Sequence, residues 1–406
     1  MSRLPLEGMR VVDFTQIQAG PQCTLWLRVM GAEVIKVESR KRPDLLRLYT
    51  QTRYGGPDVG LNRSPAFSAL NLGKKGCTLN LTQPRARELV KDIVRLSDVV
   101  VENFSTGVMD RLGLDYSSLK EIKPDIIMLS ISGLGRTGPE KSYLAYAAII
   151  HAFSGLCSLS GYPGGEPNLM GAMWSDVLGA QTGAFAVLAA LHHRTRTGQG
   201  QYIDLAMSEA TLSVMPEAIM DYTMNRRVRG CEGNRDDIMA PHGCYPCQGE
   251  DKWVAIAIAD DEEWRAFCQA IDSPAWTEEQ RFADQLSRWQ NQQELDRLVA
   301  QWTRNHSHSQ VMRKLQEAGI AAGPSCNVTD VLRDPHLRER GFFLEVEHPE
   351  MGKATLARTP WYVDGEAVGT YEPAPMIGEY NEYVFRTLLG MSQEEVSRLV
   401  EEKVIY

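Results

Sequence analysis

The chain has 406 residues, of which 43% are hydrophobic and 23% charged, and a formal net charge of −9. That composition supports a large buried core and excludes disordered, collagen-like and disulfide-scaffold classes. It also lacks the basic footprint of a nucleic-acid binder, although a local basic patch on an acidic protein can still receive a small anion.

In chain order, Arg10 to Phe14 reads as a buried strand. A loop with Gly20-Pro21 follows, then a helix over Cys23 to Met30 and a second strand over Glu33 to Glu38. Strand, helix and strand in such a short span form a βαβ unit with parallel strands. The pattern recurs. Ala86 to Leu96 places Leu89, Ile93 and Leu96 on one helical face, and Val99 to Val101 and Ile126 to Ile131 read as strands. Alternating helices and strands predict an α/β core with a mostly parallel sheet. Val177 to Leu191 is the longest apolar stretch, shorter than the ~20 residues of a membrane span. Asp176 precedes it and His192-His193-Arg194 follow it, so it reads as a core helix.

From about residue 226 the texture changes. A Gly-, Asn- and Asp-rich loop leads to a strand over Trp253 to Ile258 and to helices from Asp261, Gln293 and Ser309. The expectation is a first α/β part over 1–225, a smaller mixed domain over 226–330, and a tail over 331–406. The tail carries strand-like runs at Phe342 to Val346 and Ala354 to Leu356 and two helices, the last opening with Ser392 and Glu395 as a capping box. The eight cysteines are scattered, and no secretory apolar region follows Met1, so a reducing, cytoplasmic setting is expected.

Cofactor signatures are few. The first βα turn, Gln16 to Pro21, has one glycine where a dinucleotide fingerprint needs three. No Walker loop and no HExxH or EF-hand pattern occurs, and Cys244-Tyr-Pro-Cys247 is a lone pair of thiols without a second pair at ligand spacing. No metal site is expected. Asp176 is more informative. It is either an N-cap or a nucleophile at a helix N-terminus, where the dipole keeps a carboxylate ionised at its ordinary pKa of about 3.9. An ionised carboxylate needs no partner base, and the small residues around it leave room for an acyl group. Lys74 and Lys75, after Asn71-Leu-Gly73, read either as a solvated turn or as an anchor for a diphosphate. Asn103 follows a strand, in the kind of loop where ligands of parallel sheets lie. Arg111, eight residues later, reads alone as a surface charge.

The order of these motifs resembles the family III CoA-transferases, the formyl-CoA and carnitine CoA-transferase group. The likeness is carried by Leu6 to Phe14, Gln18-Ala-Gly-Pro21, Gly31 to Glu38, Asn71 to Lys75, Val101 to Phe104, Asp110 to Gly113, Ser130 to Gly133, Gly138-Pro139, Arg196 to Gln201, Gly319 to Pro324 and Asp334-Pro335. The resemblance implies a Rossmann-like large domain built from both chain ends, a smaller α+β domain, and an interlocked homodimer or a heterodimer with a paralogous subunit. It implies CoA transfer from an acyl-CoA, with succinyl-CoA an expected donor, to a carboxylic acid acceptor through an anhydride and a thioester on Asp176. CoA thioester is then a substrate, with no permanently bound cofactor. Gln18 matches a residue near the reacting carbonyl. Asn103 and Arg111 match the CoA channel, and Lys74 and Lys75 match a basic segment for the CoA phosphates.

Four departures stand out. Ala147 follows Tyr146 where many relatives have an acid. Ser39 stands where some have an Arg near the nucleotide, so Arg40 is the substitute. The glycine-rich lid has no counterpart beyond Ala240-Pro-His-Gly243. Tyr380 stands where His is common. The same fold serves α-methylacyl-CoA racemases, which need a His and an Asp flanking the α-carbon. No His stands near Tyr146, and His151 reads as packed in a helix. A non-catalytic paralogous subunit is a third reading. Tyr49, Tyr54, Phe67, Met173 and Trp174 are candidates for an acyl pocket.

Overall fold

The computed structural model describes residues 4–53, 60–171 and 173–406. The chain divides into two compact units: residues 1–157, 169–228 and 339–406 form one, and residues 158–168 and 229–338 form the other.

The larger unit is built on a parallel sheet of β1 (Arg10–Asp13), β2 (Glu33–Glu38), β3 (Lys75–Thr78), β4 (Val99–Glu102), β5 (Ile127–Ser132) and β6 (Tyr202–Ala206). The strand order is β3-β2-β1-β4-β5-β6, the order of a doubly wound Rossmann-type sheet. Strand periodicity sends neighbouring residues to opposite faces. Val12, Ile35, Val100 and Met128 pack against Leu89, Val90 and Ile93 of the Pro84–Arg95 helix. Val11, Val34, Val99 and Leu129 face the Ala19–Val29 and Trp174–Thr197 helices through Cys23, Leu27, Ala180, Ala184 and Val187. The small residues of the long helix serve this approach: a Cβ on Gly183 would lie 3.1 Å from Leu129 and 3.2 Å from the Cys23 sulfur.

The first helix begins at Ala19, four residues before the expected start. Pro21 costs nothing in the first turn, where its missing N–H has no intrahelical acceptor. Gly20 is needed there, because a Cβ would fall 2.3 Å from the Thr15 Cβ. β3 went unrecognised in the sequence, since Lys-Gly-Cys-Thr carries little strand signal.

Residues 339–406 pack on this sheet. β10 (Phe343–His348) and β11 (Gly352–Ala357) form an antiparallel hairpin. Val384, Phe385, Leu399 and Ile405 join the core with Val12 and Ile35. Leu79 bridges Ile405, and the Thr78 hydroxyl donates to the Tyr406 carbonyl at 2.6 Å. The capping box forms at Ser392, whose N–H donates to Glu395 at 2.8 Å.

In the smaller unit, β7 (His242–Pro246), β8 (Trp253–Ala257) and β9 (Ala321–Pro324) form an antiparallel sheet. The Asp261–Ala270, Gln292–Thr303 and His308–Glu317 helices contribute Trp264, Phe267, Leu295 and Leu315 to its core. His242 and Gly243 lie in β7 and Ala240 is fully buried, so this segment, the nearest in the sequence to a glycine-rich lid, is sheet and core. Burial pushes the Cys247 thiol up to about 11, and all eight cysteines are free. Among the described residues no helix is long and apolar enough to cross a membrane.

Candidate active site

In an open parallel sheet, ligands bind beyond the carboxyl ends of the strands where the strand order reverses. Here that place is the crevice between β1 and β4. A cleft of about 250 Å³ lies there, walled by Gln16 and Ile17 after β1, Asn103 to Thr106 after β4, Ser132 to Leu134 at the end of β5, and Lys141 to Tyr146. The Ser132 hydroxyl is buried and has no hydrogen-bond partner among the described residues.

The loop after β1 is held from both sides. Asn103 accepts the Gln16 N–H and donates to the Gln16 carbonyl, both at 2.8 Å. Ile17 adopts φ 67°, a left-handed conformation costly for a β-branched residue. Its N–H donates to the buried Asp44 carboxylate at 3.1 Å, and Asp44 in turn pairs with Lys36 at 3.3 Å. Gln18 then occupies the N-cap position of the first helix without capping it through its side chain. Local sequence gave no sign of the roles of Ile17 and Asp44, because the Asp44–Ile17 bond spans 27 residues.

Asp176 sits in the first turn of the Trp174–Thr197 helix. It is not the N-cap. Met173 holds that position, and the helix starts three residues earlier than the apolar run suggests. The backbone N–H of Ala19, the first residue of the other helix, faces the Asp176 carboxylate and favours its ionised form. Two helix N-termini therefore meet at one carboxylate. Burial nevertheless outweighs them and raises Asp176 to about 6, correcting the ordinary value expected from the helix dipole alone. At pH 7 the group is still mostly ionised. Ser175, beside it, is fully buried and donates from its hydroxyl to the Ala147 carbonyl at 3.4 Å. Ala147 follows Tyr146, which stands at the N-cap of the Ala147–Phe153 helix and lines the cleft. Asn103 and Tyr146 thus line the cleft, Gln18 follows its wall residue Ile17 in the chain, and Asp176 follows Ser175, which is bonded to Ala147.

The expectations for the cations change. Lys74 is no phosphate anchor: it is 1% exposed, and its ammonium bonds Asp13 at 3.0 Å, Thr24 at 2.7 Å, Asn71 at 2.9 Å and the Pro21 carbonyl at 2.9 Å. Burial works against ionised Asp13, but Lys74, Lys36 and two threonine hydroxyls hold it down at about 2. Lys75 lies in β3, paired with Glu33 at 2.5 Å and over the Tyr383 ring at 3.7 Å. Both lysines are committed within the fold. The exposed cations are elsewhere. Arg40, Lys41 and Arg42 form a turn directly after β2, and Arg111 is exposed on the helix after β4. Both positions follow carboxyl ends of parallel strands, the edge that carries the cleft.

Of the acyl-pocket candidates, Met173 and Trp174 are exposed beside Asp176 and Tyr49 is also exposed. Phe67 is buried beneath the Arg47 guanidinium, 3.5 Å from its ring centroid, and is not in the wall of this cleft. Tyr54 lies outside the described residues.

The model for CoA-transferase family III matches residues 6–381. The succinyl-CoA–D-citramalate CoA-transferase of Chloroflexus aurantiacus is 32% identical, covering 99% of this chain and 98% of that one. The alpha subunit of succinyl-CoA–L-malate CoA-transferase from Chloroflexus aurantiacus is also 32% identical, covering 99% of this chain and 93% of that one. A crystal structure of a CAIB/BAIF family protein from Brucella suis superposes with a TM-score of 0.86 at 31% identity, covering 95% of this chain and 100% of that one. With the Rossmann-type sheet and the crevice at its switch point, these likenesses show that the chain belongs to CoA-transferase family III and is a CoA-transferase.

Proposed function

We propose that this enzyme moves CoA from succinyl-CoA to a small carboxylic acid through covalent intermediates on Asp176. The observation that carries the reading is the Asp176 carboxylate itself, half-buried, raised to about 6 and held at the meeting of two helix N-termini. Such a group is ionised at neutral pH and poorly solvated, so it is a better nucleophile than a fully hydrated carboxylate.

In the first step an Asp176 oxygen attacks the thioester carbonyl, the C–S bond breaks, and CoA leaves as thiolate from a mixed anhydride. The thiolate then attacks the Asp176 acyl carbon and releases the donor carboxylate, leaving an aspartyl-CoA thioester. The acceptor carboxylate attacks that thioester, expels the thiolate and forms a second anhydride. Attack of the thiolate on the acceptor's acyl carbon gives the new CoA ester and restores the Asp176 carboxylate. No net proton is consumed, so no separate base is required. In this reading Gln18 contacts the reacting carbonyl, Asn103 and Tyr146 shape the channel, and Arg40 and Arg111 meet the CoA phosphates. The donor follows the relatives, whose names specify succinyl-CoA.

An isomerase reading needs a histidine free to take a proton. His151 is 2% exposed, and its Nε2 already accepts the Ser175 N–H at 3.1 Å. The observation favours transfer.

We also propose that the enzyme is an interlocked dimer of two copies or of paralogous subunits, in a cytoplasmic setting. Exposed apolar side chains are concentrated in the larger unit at Tyr143, Leu144, Ile149, Phe185, Met224 and Val228. Exposed apolar side chains of this kind are the material of an interface between subunits. The names of two relatives specify alpha and beta subunits.

Hydroxylamine added during turnover tests the mechanism. It converts an activated Asp176 to a hydroxamate, which mass spectrometry locates on its peptide. Absence of any adduct at Asp176, with transfer proceeding normally, rejects the covalent route.

A further inference from the structure

The Trp174–Thr197 helix begins without a side-chain cap of its own, because Met173 offers no oxygen acceptor. The N–H groups of a first turn need partners, and Ser, Thr, Asp or Asn normally supplies one. Here the partner comes from another helix. The Ser175 N–H donates to His151 Nε2 at 3.1 Å. Ser175 immediately precedes Asp176, and its hydroxyl reaches back to Ala147 at 3.4 Å. Two bonds therefore lock the Ala147–Phe153 helix to the turn that carries the nucleophile.

We propose that His151 is a positioning residue for Asp176: as an acceptor supplied in trans, its imidazole fixes the first helical turn and so aims the carboxylate. The proposal rests on the reading of Asp176 as the nucleophile. An Nε2 that receives an N–H is unprotonated, so the neutral ring carries its proton on Nδ1. Burial holds the His151 pKa below its ordinary value, which keeps the acceptor available at neutral pH. The same bond connects two sides of the site, since the helix bearing His151 starts beside Tyr146 in the cleft wall. Displacing a reacting group by about 1 Å can cost 100-fold in rate, so one lost anchor beside the nucleophile has a kinetic effect.

The test compares His151→Phe, which keeps bulk and removes the acceptor, with His151→Gln, whose side-chain oxygen reaches about as far as Nε2. Asp176→Ala runs beside them. All are assayed at a temperature where melting curves show them folded. The expected result is a fall of about 10- to 100-fold in kcat for His151→Phe, with KM for succinyl-CoA within about two-fold of wild type. Hydroxylamine trapping at Asp176 slows by the same factor, and His151→Gln recovers most of the loss. Wild-type kcat in His151→Phe, or no recovery in a folded His151→Gln, overturns the positioning role. If Asp176→Ala is inactive in that case, the nucleophile reading stands and only the role of His151 falls. Full activity in Asp176→Ala overturns both.

Discussion

The backbone N–H of Ala19 faces the Asp176 carboxylate, so the proposed nucleophile on one helix is met by the first residue of another. The Ala19 N–H favours the anion, yet burial outweighs it and raises the group to about 6. On the proposed mechanism this partly dried carboxylate is the reacting group, and the consequences are measurable.

The first concerns pH. Only the ionised carboxylate attacks a thioester, so kcat/KM should rise with pH through an apparent pKa of about 6 and level off above it. A profile from pH 4.5 to 8 at subsaturating acyl-CoA, with roughly this span bracketing the transition, checks it. A limb centred near the ordinary carboxylate range would show that Asp176 is solvated in the free enzyme.

Stability should move the opposite way. A folded pKa above the unfolded value means the ionised form is disfavoured by folding. That penalty is absent below the unfolded pKa and complete once pH exceeds the folded one. Asp176→Asn should therefore be inactive yet more stable than wild type at pH 7, by roughly 1–3 kcal/mol. The gain should shrink towards zero near pH 4, roughly the ordinary Asp value. Denaturant titrations at both values measure it.

Lys74 and Arg40 should behave differently. Lys74→Met removes the larger of the two cationic influences on buried Asp13 and leaves Lys36, so it should destabilise by about 3 kcal/mol and leave KM for acyl-CoA unaltered in the protein that remains folded. Arg40→Ala changes an exposed turn. Its melting temperature should hold while KM for acyl-CoA rises by roughly three- to ten-fold. Thermal melts paired with initial rates separate the two.

Gly20→Ala addresses the backbone. Its new Cβ would stand 2.3 Å from the Thr15 Cβ, and Thr15 is fixed by two bonds to Asp13, at 2.8 Å and 2.5 Å. The expected cost is about 1–3 kcal/mol, with a fall in kcat because Ala19 moves with it. Unchanged stability would mean that the turn relaxes freely.

Much of the sheet was legible in the sequence. β1, β2, β4 and β5 are short β-branched runs between helical periods, and that pattern specifies a buried parallel strand. β3 was not legible, because what makes Lys74-Lys75-Gly76 structural lies far away. Asp13, 61 residues earlier, turns Lys74 inward, and Glu33 does the same for Lys75. A lysine pair looks like a solvated turn until its carboxylates are placed. Asp176 was legible as a residue and not as an acid strength, because the burial that sets its pKa comes from tertiary packing. His151 read as a packed helical residue, which it is. Its acceptor role depends on Ser175, 24 residues later, and no periodicity carries that.

The stitching of residues 404–406 onto the end of β3 bears on how the protein is made. Asn80 donates to the Val404 carbonyl at 2.9 Å, Leu79 bridges Ile405, and Thr78 reaches Tyr406. A nascent chain lacking these residues exposes one edge of its sheet and part of its core. The N-terminal half can then collapse early but cannot finish, since its closing contacts span more than 300 residues. Unfinished edges of that kind recruit other strands.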